Sequence, residues 1–87
     1  MDARITTADG VTLAIGDPRG EGAPVVFVHG FSNDRFVWDD LAAALPERFR
    51  PLGYDLRGHG DSGWSLDCAY HLLDHARDLR AVFDGLG

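Results

Sequence analysis

The chain has 87 residues and a net charge of −6, which suits one small domain and is too short for two. Apolar residues make up 45% and charged residues 25%, a composition that excludes collagen-like and disordered chains. The basic residues are scattered, so we expect no nucleic-acid partner and repulsion from anionic membranes. Cys68 is the only cysteine, which excludes an internal disulfide. No run approaches the roughly 18 apolar residues of a membrane span, and no apolar signal core is present. Cytoplasm is the expected location.

The first part of the chain is predicted to form a hairpin and then a buried strand. Two short β-branched runs flank Asp9-Gly10, which predicts a hairpin over 4–16 with a two-residue turn, both turn residues having positive φ. Val25–Val28 is apolar without alternation, as is typical of a strand covered on both faces. It belongs to a predicted strand and loop over 24–33.

Two helices and a further strand follow. Capping side chains at 32–34, an apolar face from Trp38 to Leu45 and a stop at Pro46 predict a helix over 34–45. A strand and glycine-rich loop are predicted over 49–63. Apolar residues spaced four and three apart predict an amphipathic helix over 68–86, with Gly85 and Gly87 as stop signals; they are Leu72, Ala76, Leu79, Phe83 and Leu86. Such a strand–helix–strand order predicts an α/β fold with a parallel sheet.

Two segments carry a family resemblance. Val25-Val26-Phe27-Val28-His29-Gly30-Phe31 resembles the third strand and oxyanion loop of α/β hydrolases, and Tyr54-Asp55-Leu56-Arg57-Gly58-His59-Gly60-Asp61-Ser62 is similar to their fourth strand and following loop. His75-Ala76-Arg77-Asp78-Leu79 is similar to the helix before their nucleophile strand. The resemblance covers nearly the whole chain. It implies the N-terminal part of an α/β-hydrolase sheet, a hairpin and then strand–helix–strand–helix, mainly parallel and incomplete.

The resemblance also implies a chemistry, namely hydrolysis of esters, thioesters, epoxides, carbon–halogen bonds or related groups. One oxyanion donor in the family is a backbone N–H after the third strand, which by position is that of Phe31. Supporting roles are implied for His29 and Gly30 in the oxyanion loop. The second loop is implied to support the floor of the active site through Asp55, Arg57, Gly58, His59 and Gly60. No cofactor and no metal are expected.

The nucleophile that this chemistry needs is absent from the sequence. The family's G-x-S-x-G motif is not formed around Ser32, Ser62 or Ser65, and Cys68 lacks the flanking glycines. We therefore expect an inactive fragment that ends where the nucleophile strand should begin. An ester-like small molecule would be its substrate only after completion by a C-terminal complement. The alternative is a non-catalytic module that pairs through an exposed sheet edge at Val25–Val28, with a homo-oligomer as one outcome.

Two further patterns are typical of serine proteases and of zinc sites, but each is weaker than the α/β-hydrolase resemblance. Gly60-Asp61-Ser62-Gly63 resembles the nucleophile segment of serine proteases, but a tetrapeptide supplies no triad geometry. His71 and His75 are spaced i and i+4 and could share a zinc ion. No third ligand is evident, so a solvated helix face is the favoured interpretation.

Overall fold

The computed structural model describes residues 3–17 and 20–86 of the chain. The elements in those residues are β1 Ala3–Thr6, β2 Thr12–Ile15, β3 Ala23–Val28, the 3-10 turn Arg35–Trp38, α1 Asp39–Ala44, β4 Phe49–Tyr54 and α2 Leu72–Leu86. The strands form a four-stranded mixed sheet with the order β1-β2-β4-β3. The 3-10 turn and the short helix α1 lie between β3 and β4, and the longer helix α2 follows β4.

The α/β class is confirmed, but the expectation of a mainly parallel sheet is wrong for the described residues. Within the part of the chain that the structure describes, only β3 and β4 pair in parallel, over Ala23↔Phe49 to Val28↔Tyr54. β1 pairs with β2, and β2 with β4, in antiparallel fashion. The reason is topological, because a tight hairpin joins antiparallel strands while only the connection through α1 allows a parallel pair.

The hairpin connection also differs from the expected two-residue turn. Gly10 has φ +88° while Asp9 has no positive φ, and the Gly10 N–H donates to the Thr7 carbonyl at 3.0 Å. Five residues, 7–11, lie between the strands, and the Thr7 N–H donates to the Val11 carbonyl at 2.8 Å. Residues 8–10 therefore form the loop beyond this pair, with the glycine in the left-handed position. The Asp9 carboxylate instead accepts the Thr7 hydroxyl at 2.6 Å.

The predicted helix over 34–45 is divided into the 3-10 turn and α1. Asp34 caps the 3-10 turn, since its side chain accepts the Phe36 N–H at 3.0 Å. The backbone N–H of Arg35 donates to the buried Asp55 carboxylate at 2.6 Å, which ties this first turn to the end of β4. Regular α-helix begins only at Asp39, and tight 3-10 winding at a helix start is common.

α2 begins at Leu72, four residues later than the predicted start. Cys68 has φ +54°, a left-handed conformation that cannot continue a helix. The N–H of His71 donates to the Asp74 carboxylate at 3.0 Å, which is half of a capping box. At the other end α2 passes through Gly85, where a Cβ would overlap Ile5 of β1. Gly85 thus permits close packing and is no stop signal, and Gly87 lies outside the described residues.

The core lies between the sheet and α2. The buried face of α2 is centred on Val82 and Asp78, while Leu72 and Phe83 of the predicted apolar stripe are 86% and 46% exposed. The helix is therefore rotated so that Asp78 points into the protein. The fully buried apolar cluster consists of Val11, Leu13, Ile15, Leu52, Tyr54, Leu56 and Val82.

Candidate functional site

The candidate site lies where the parallel strands β3 and β4 end together. Val28 pairs with Tyr54, so the loops that follow, over 29–34 and 55–63, leave the same edge of the sheet. This is the edge at which ligands bind in open α/β sheets. The fold thereby brings both sequence motifs to one place.

His29 joins the two loops through its ring. Its Nε2 accepts the Leu56 N–H at 3.0 Å and its Nδ1 lies 2.6 Å from the Gly30 carbonyl oxygen. Because Nε2 accepts, the hydrogen of the neutral imidazole is on Nδ1, which donates to Gly30. Both ring nitrogens thus have backbone partners, and His29 is 3% exposed. In this arrangement neither nitrogen is available to take a proton from a substrate.

The orientation of the Phe31 amide follows from the turn at 30–33. The Gly30 carbonyl accepts a second hydrogen bond, from the Asn33 N–H at 3.2 Å, and Ser32 has φ +72°. These features define a type II turn with Phe31 at its second position. In a trans peptide the N–H points opposite to the preceding carbonyl. Two donors on the Gly30 oxygen therefore fix the direction of the Phe31 N–H, which has no acceptor among the described residues.

Asp55 holds the second loop in place. Its buried carboxylate accepts the Asp61 N–H at 2.9 Å, the Arg35 N–H at 2.6 Å and the Arg35 guanidinium. Gly60 packs directly on this carboxylate with φ +47°, and a Cβ there would overlap its oxygens. The loop therefore needs glycine at 60 for both its space and its backbone conformation. Gly58, with φ +76°, likewise leaves room for the Tyr70 ring.

The Ser62 hydroxyl is used in hydrogen bonds inside the protein. Its hydroxyl donates to the Asp55 carbonyl at 2.6 Å and accepts the Ala14 N–H at 2.8 Å. The residue is 5% exposed, so the oxygen is both occupied and shielded. Of the other serines, Ser65 accepts the Ala69 N–H at 2.9 Å. The resemblance of residues 60–63 to a protease nucleophile therefore has no support in the geometry.

All five donors of the Arg57 guanidinium are used inside the protein. Nε and Nη2 form a bidentate pair with the Asp78 carboxylate, both at 2.7 Å. Nη1 and Nη2 reach Asp9 at 2.9 and 3.1 Å, and Nη1 also donates to the Ala69 carbonyl at 2.9 Å. These bonds raise the pKa of Arg57, with Asp78 the largest cause. The hydrogen bond from Arg57, followed by that from Thr7, lowers the pKa of Asp9 to about 2. Arg57 thus connects the site loop to the hairpin and α2.

The Phe31 ring contacts two imidazole rings. The Phe31 side chain is 74% exposed, stacks on His59 at 5.6 Å and meets His75 edge-on at 6.2 Å. His59 also lies 5.1 Å from the His29 ring, and its Nδ1 is 3.0 Å from the Arg57 carbonyl. Burial lowers the pKa of His75 from its ordinary value.

Sequence reasoning missed three residues that organise this site, namely Arg35, His75 and Asp78. Asp78 carried a usable signal, because it lies four residues before the buried Val82 and hence on the same helix face. Arg35 carried none. His75 stands in the segment that resembles the family's helix, but nothing in the sequence indicated its contact with Phe31, since the two residues are distant in the chain. Among the described residues no group of three His, Cys, Asp or Glu side chains is placed to hold a metal ion. Within 3–17 and 20–86 no helix is both long and apolar enough to cross a bilayer.

The fold and the site together define an α/β protein with a polar loop cluster at the carboxyl ends of its parallel strands. The family model described as "alpha/beta hydrolase fold" matches residues 23–87, and the chain belongs to this family.

Individual relatives support this assignment. The probable oxidoreductase EphD of Mycobacterium tuberculosis is 37% identical over 90 residues, covering 99% of this chain and 15% of its own length. The non-heme chloroperoxidase CPO-A1 of Kitasatospora aureofaciens is 43% identical over 82 residues, covering 93% of this chain and 29% of its own. The esterase EaEST from Exiguobacterium antarcticum superposes with a TM-score of 0.87 at 30% identity, covering 99% of this chain and 32% of its own. This chain spans less than a third of the length of each.

Proposed function

We propose that this chain supplies the oxyanion loop and the adjoining sheet of an α/β-fold hydrolase that acts on ester-like small molecules. In this proposal a C-terminal complement brings the nucleophile, the acid and the base. The chain by itself is inactive, because a donor for negative charge does no chemistry without a group that generates the charge.

The Phe31 amide is the observation that carries the proposal. The turn fixes the direction of this N–H, which has no acceptor among the described residues. The two donors on the Gly30 oxygen hold the peptide group in that orientation. Such a fixed donor needs no reorganisation when a tetrahedral oxyanion forms, which is the basis of oxyanion stabilisation. The other family donor is the N–H after the nucleophile, and the sequence holds no G-x-S-x-G around its three serines.

A chimera tests the proposal. This chain replaces the matched segment of the Exiguobacterium antarcticum esterase, and ester hydrolysis is measured for the chimera and for its Phe31→Pro variant. Proline is favoured at the second position of a type II turn, so this change removes the amide hydrogen while it retains the turn. We expect kcat to fall by about 10²–10³-fold. Phe31→Ala, which loses the ring as proline does but keeps the N–H, is the matched control, and its kcat should fall less than that of Phe31→Pro.

The isolated chain provides the second half of the test. We expect no hydrolysis of an activated ester and no labelling by a serine-reactive fluorophosphonate. Turnover by the isolated chain that is lost on changing one of its own side chains would contradict the proposal. An active chimera whose kcat is insensitive to Phe31→Pro would contradict the role of this amide.

A second candidate function, a non-catalytic pairing module, is favoured by one observation. β3 is the outer strand of the described sheet, and Val28 at its end is 43% exposed. An unpaired strand edge recruits another strand, from a second copy or from the C-terminal complement. Sedimentation separates the cases, because a purely monomeric chain at high concentration excludes pairing between copies.

We also propose that the protein works in the cytoplasm. Cys68 is exposed and free, which suits a reducing compartment. Fractionation of cells that express the native gene tests this location.

A further inference from the structure

The Phe31 side chain is held by two imidazoles although most of it faces solvent. His59, from the loop after β4, stacks on the ring at 5.6 Å, and His75, from α2, contacts it edge-on at 6.2 Å. The contact with His75 connects the oxyanion loop to the helix that covers the sheet. The side chain and the amide belong to the same turn residue, so the contact with His75 connects the turn that carries the amide to α2.

His75 is in a place that disfavours a protonated ring more than a neutral one. Both its nitrogens are shielded from solvent and neither has a hydrogen-bond partner among the described residues. A second N–H and a charge would have no acceptor there, which is unfavourable for a buried group.

The charges around His75 do not supply such an acceptor. Burial is the largest cause of the lowered pKa of His75. Asp78 and Asp74 of α2 raise this pKa, while Arg57 and His59 of the loop after β4 lower it. Both oxygens of the Asp78 carboxylate are already bound by Arg57 at 2.7 Å. The carboxylate of Asp74 accepts the N–H of His71.

We infer that His75 is a positioning residue that places the Phe31 amide through the Phe31 ring, and that it does so only as neutral imidazole. On protonation the ring must move toward water or an acceptor, and its edge contact with Phe31 is lost. The turn at 30–33 then loses its contact with α2. The consequence for oxyanion binding rests on the proposed function, whereas the coupling between His75 and Phe31 does not.

The test is an NMR titration of the 87-residue chain between about pH 4.5 and 8. The Cε1 signal of His75 gives the midpoint of its own protonation, which should lie below the usual value of about 6.5 for histidine. We expect the amide signal of Phe31 to shift with that same midpoint. A Phe31 amide that does not titrate, or that follows only the midpoint of His59 or His29, overturns the inference.

Two variants extend the test. His75→Phe keeps a ring at the contact but cannot be protonated, so the component of the Phe31 titration at the His75 midpoint should disappear. His71→Phe changes an exposed histidine one turn earlier on the chain and should leave that component unchanged. Persistence of the component in folded His75→Phe overturns the inference, and the wild-type midpoints decide the matter if that variant does not fold.

The same variant separates this inference from the proposed function. In the esterase chimera, His75→Phe should remove the part of the decline in kcat toward acid pH that follows the His75 midpoint. Failure of Phe31→Pro to reduce kcat would refute the oxyanion role of the Phe31 amide on which the proposed function depends. It would leave the NMR coupling between His75 and Phe31 intact.

Discussion

The Nε2 atom of His29 accepts the backbone N–H of Leu56 at 3.0 Å across 27 residues of sequence. This bond joins the loop after β3 to the loop after β4. It also places the hydrogen of the imidazole on Nδ1, which holds the Gly30 carbonyl. The direction of the Phe31 amide therefore depends on the pairing of two strands that lie far apart in the chain.

Replacement of His29 should weaken both loops. His29→Leu leaves the Leu56 N–H buried without an acceptor, so we expect a loss of about 1–3 kcal/mol in the free energy of unfolding. Urea denaturation followed by circular dichroism measures it. His71→Leu, at an exposed position, is the control and should be within about 0.5 kcal/mol of wild type. Equal stability of the two variants would show that the bond to Leu56 is dispensable.

Two glycine positions separate the effect of space from that of backbone conformation. Gly10 and Gly60 both have positive φ, but a Cβ at Gly10 meets nothing within 4 Å while one at Gly60 overlaps the Asp55 carboxylate. Gly10→Ala should destabilise by about 1 kcal/mol, the backbone penalty alone. Gly60→Ala also disturbs the buried pairing of Asp55 with Arg35, so about 3–5 kcal/mol is expected. Similar losses for both, measured by urea denaturation, would contradict the close packing at Gly60.

Neutralisation of Asp78 should be among the most damaging single changes on α2. Asp78→Asn removes the buried counter-charge of Arg57, and we expect a loss of about 3–5 kcal/mol. Asp84→Asn is the matched control for Asp78→Asn, since Asp84 pairs with Arg80 at 3.4 Å on the exposed side of the same helix. An exposed pair of this kind contributes less than about 1 kcal/mol. Comparable thermal stability of the two variants would exclude a central role for the pair of Arg57 and Asp78.

Tyr54 should ionise late in an alkaline titration. Burial, and then the charge of Asp78, raises the pKa of Tyr54 to about 12. The folded chain therefore retains the phenol proton that the unfolded chain releases near pH 10. The contribution to stability is fully present below pH 10 and is lost as the pH rises toward 12. Absorbance at the phenolate band should show a step near pH 12 that Tyr54→Phe removes, and a step confined to pH 10 would contradict this burial.

The order of the elements could be predicted because its signals are local. Each signal depends on residues that are close together in the chain. These signals are the β-branched runs, the apolar segment before His29 and the helical spacing after Leu72. The element boundaries could be predicted less well. α2 starts late because Cys68 is left-handed. It also includes Gly85, a position where close packing on Ile5 favours a residue without a side chain.

Membership of the α/β-hydrolase fold and the lack of a G-x-S-x-G nucleophile were readable from the sequence by itself, since both depend on residues that are neighbours in the chain. Only the tertiary structure revealed that Asp78 is the counter-ion of Arg57, that Arg35 binds Asp55, and that His75 contacts Phe31. Each of these pairs is separated by 20 or more residues, and its members meet only when β3, β4 and α2 pack together. The strength of a hydrogen bond falls off within fractions of an ångström. A sequence pattern specifies only which face of an element is buried, so it cannot position two distant groups that accurately.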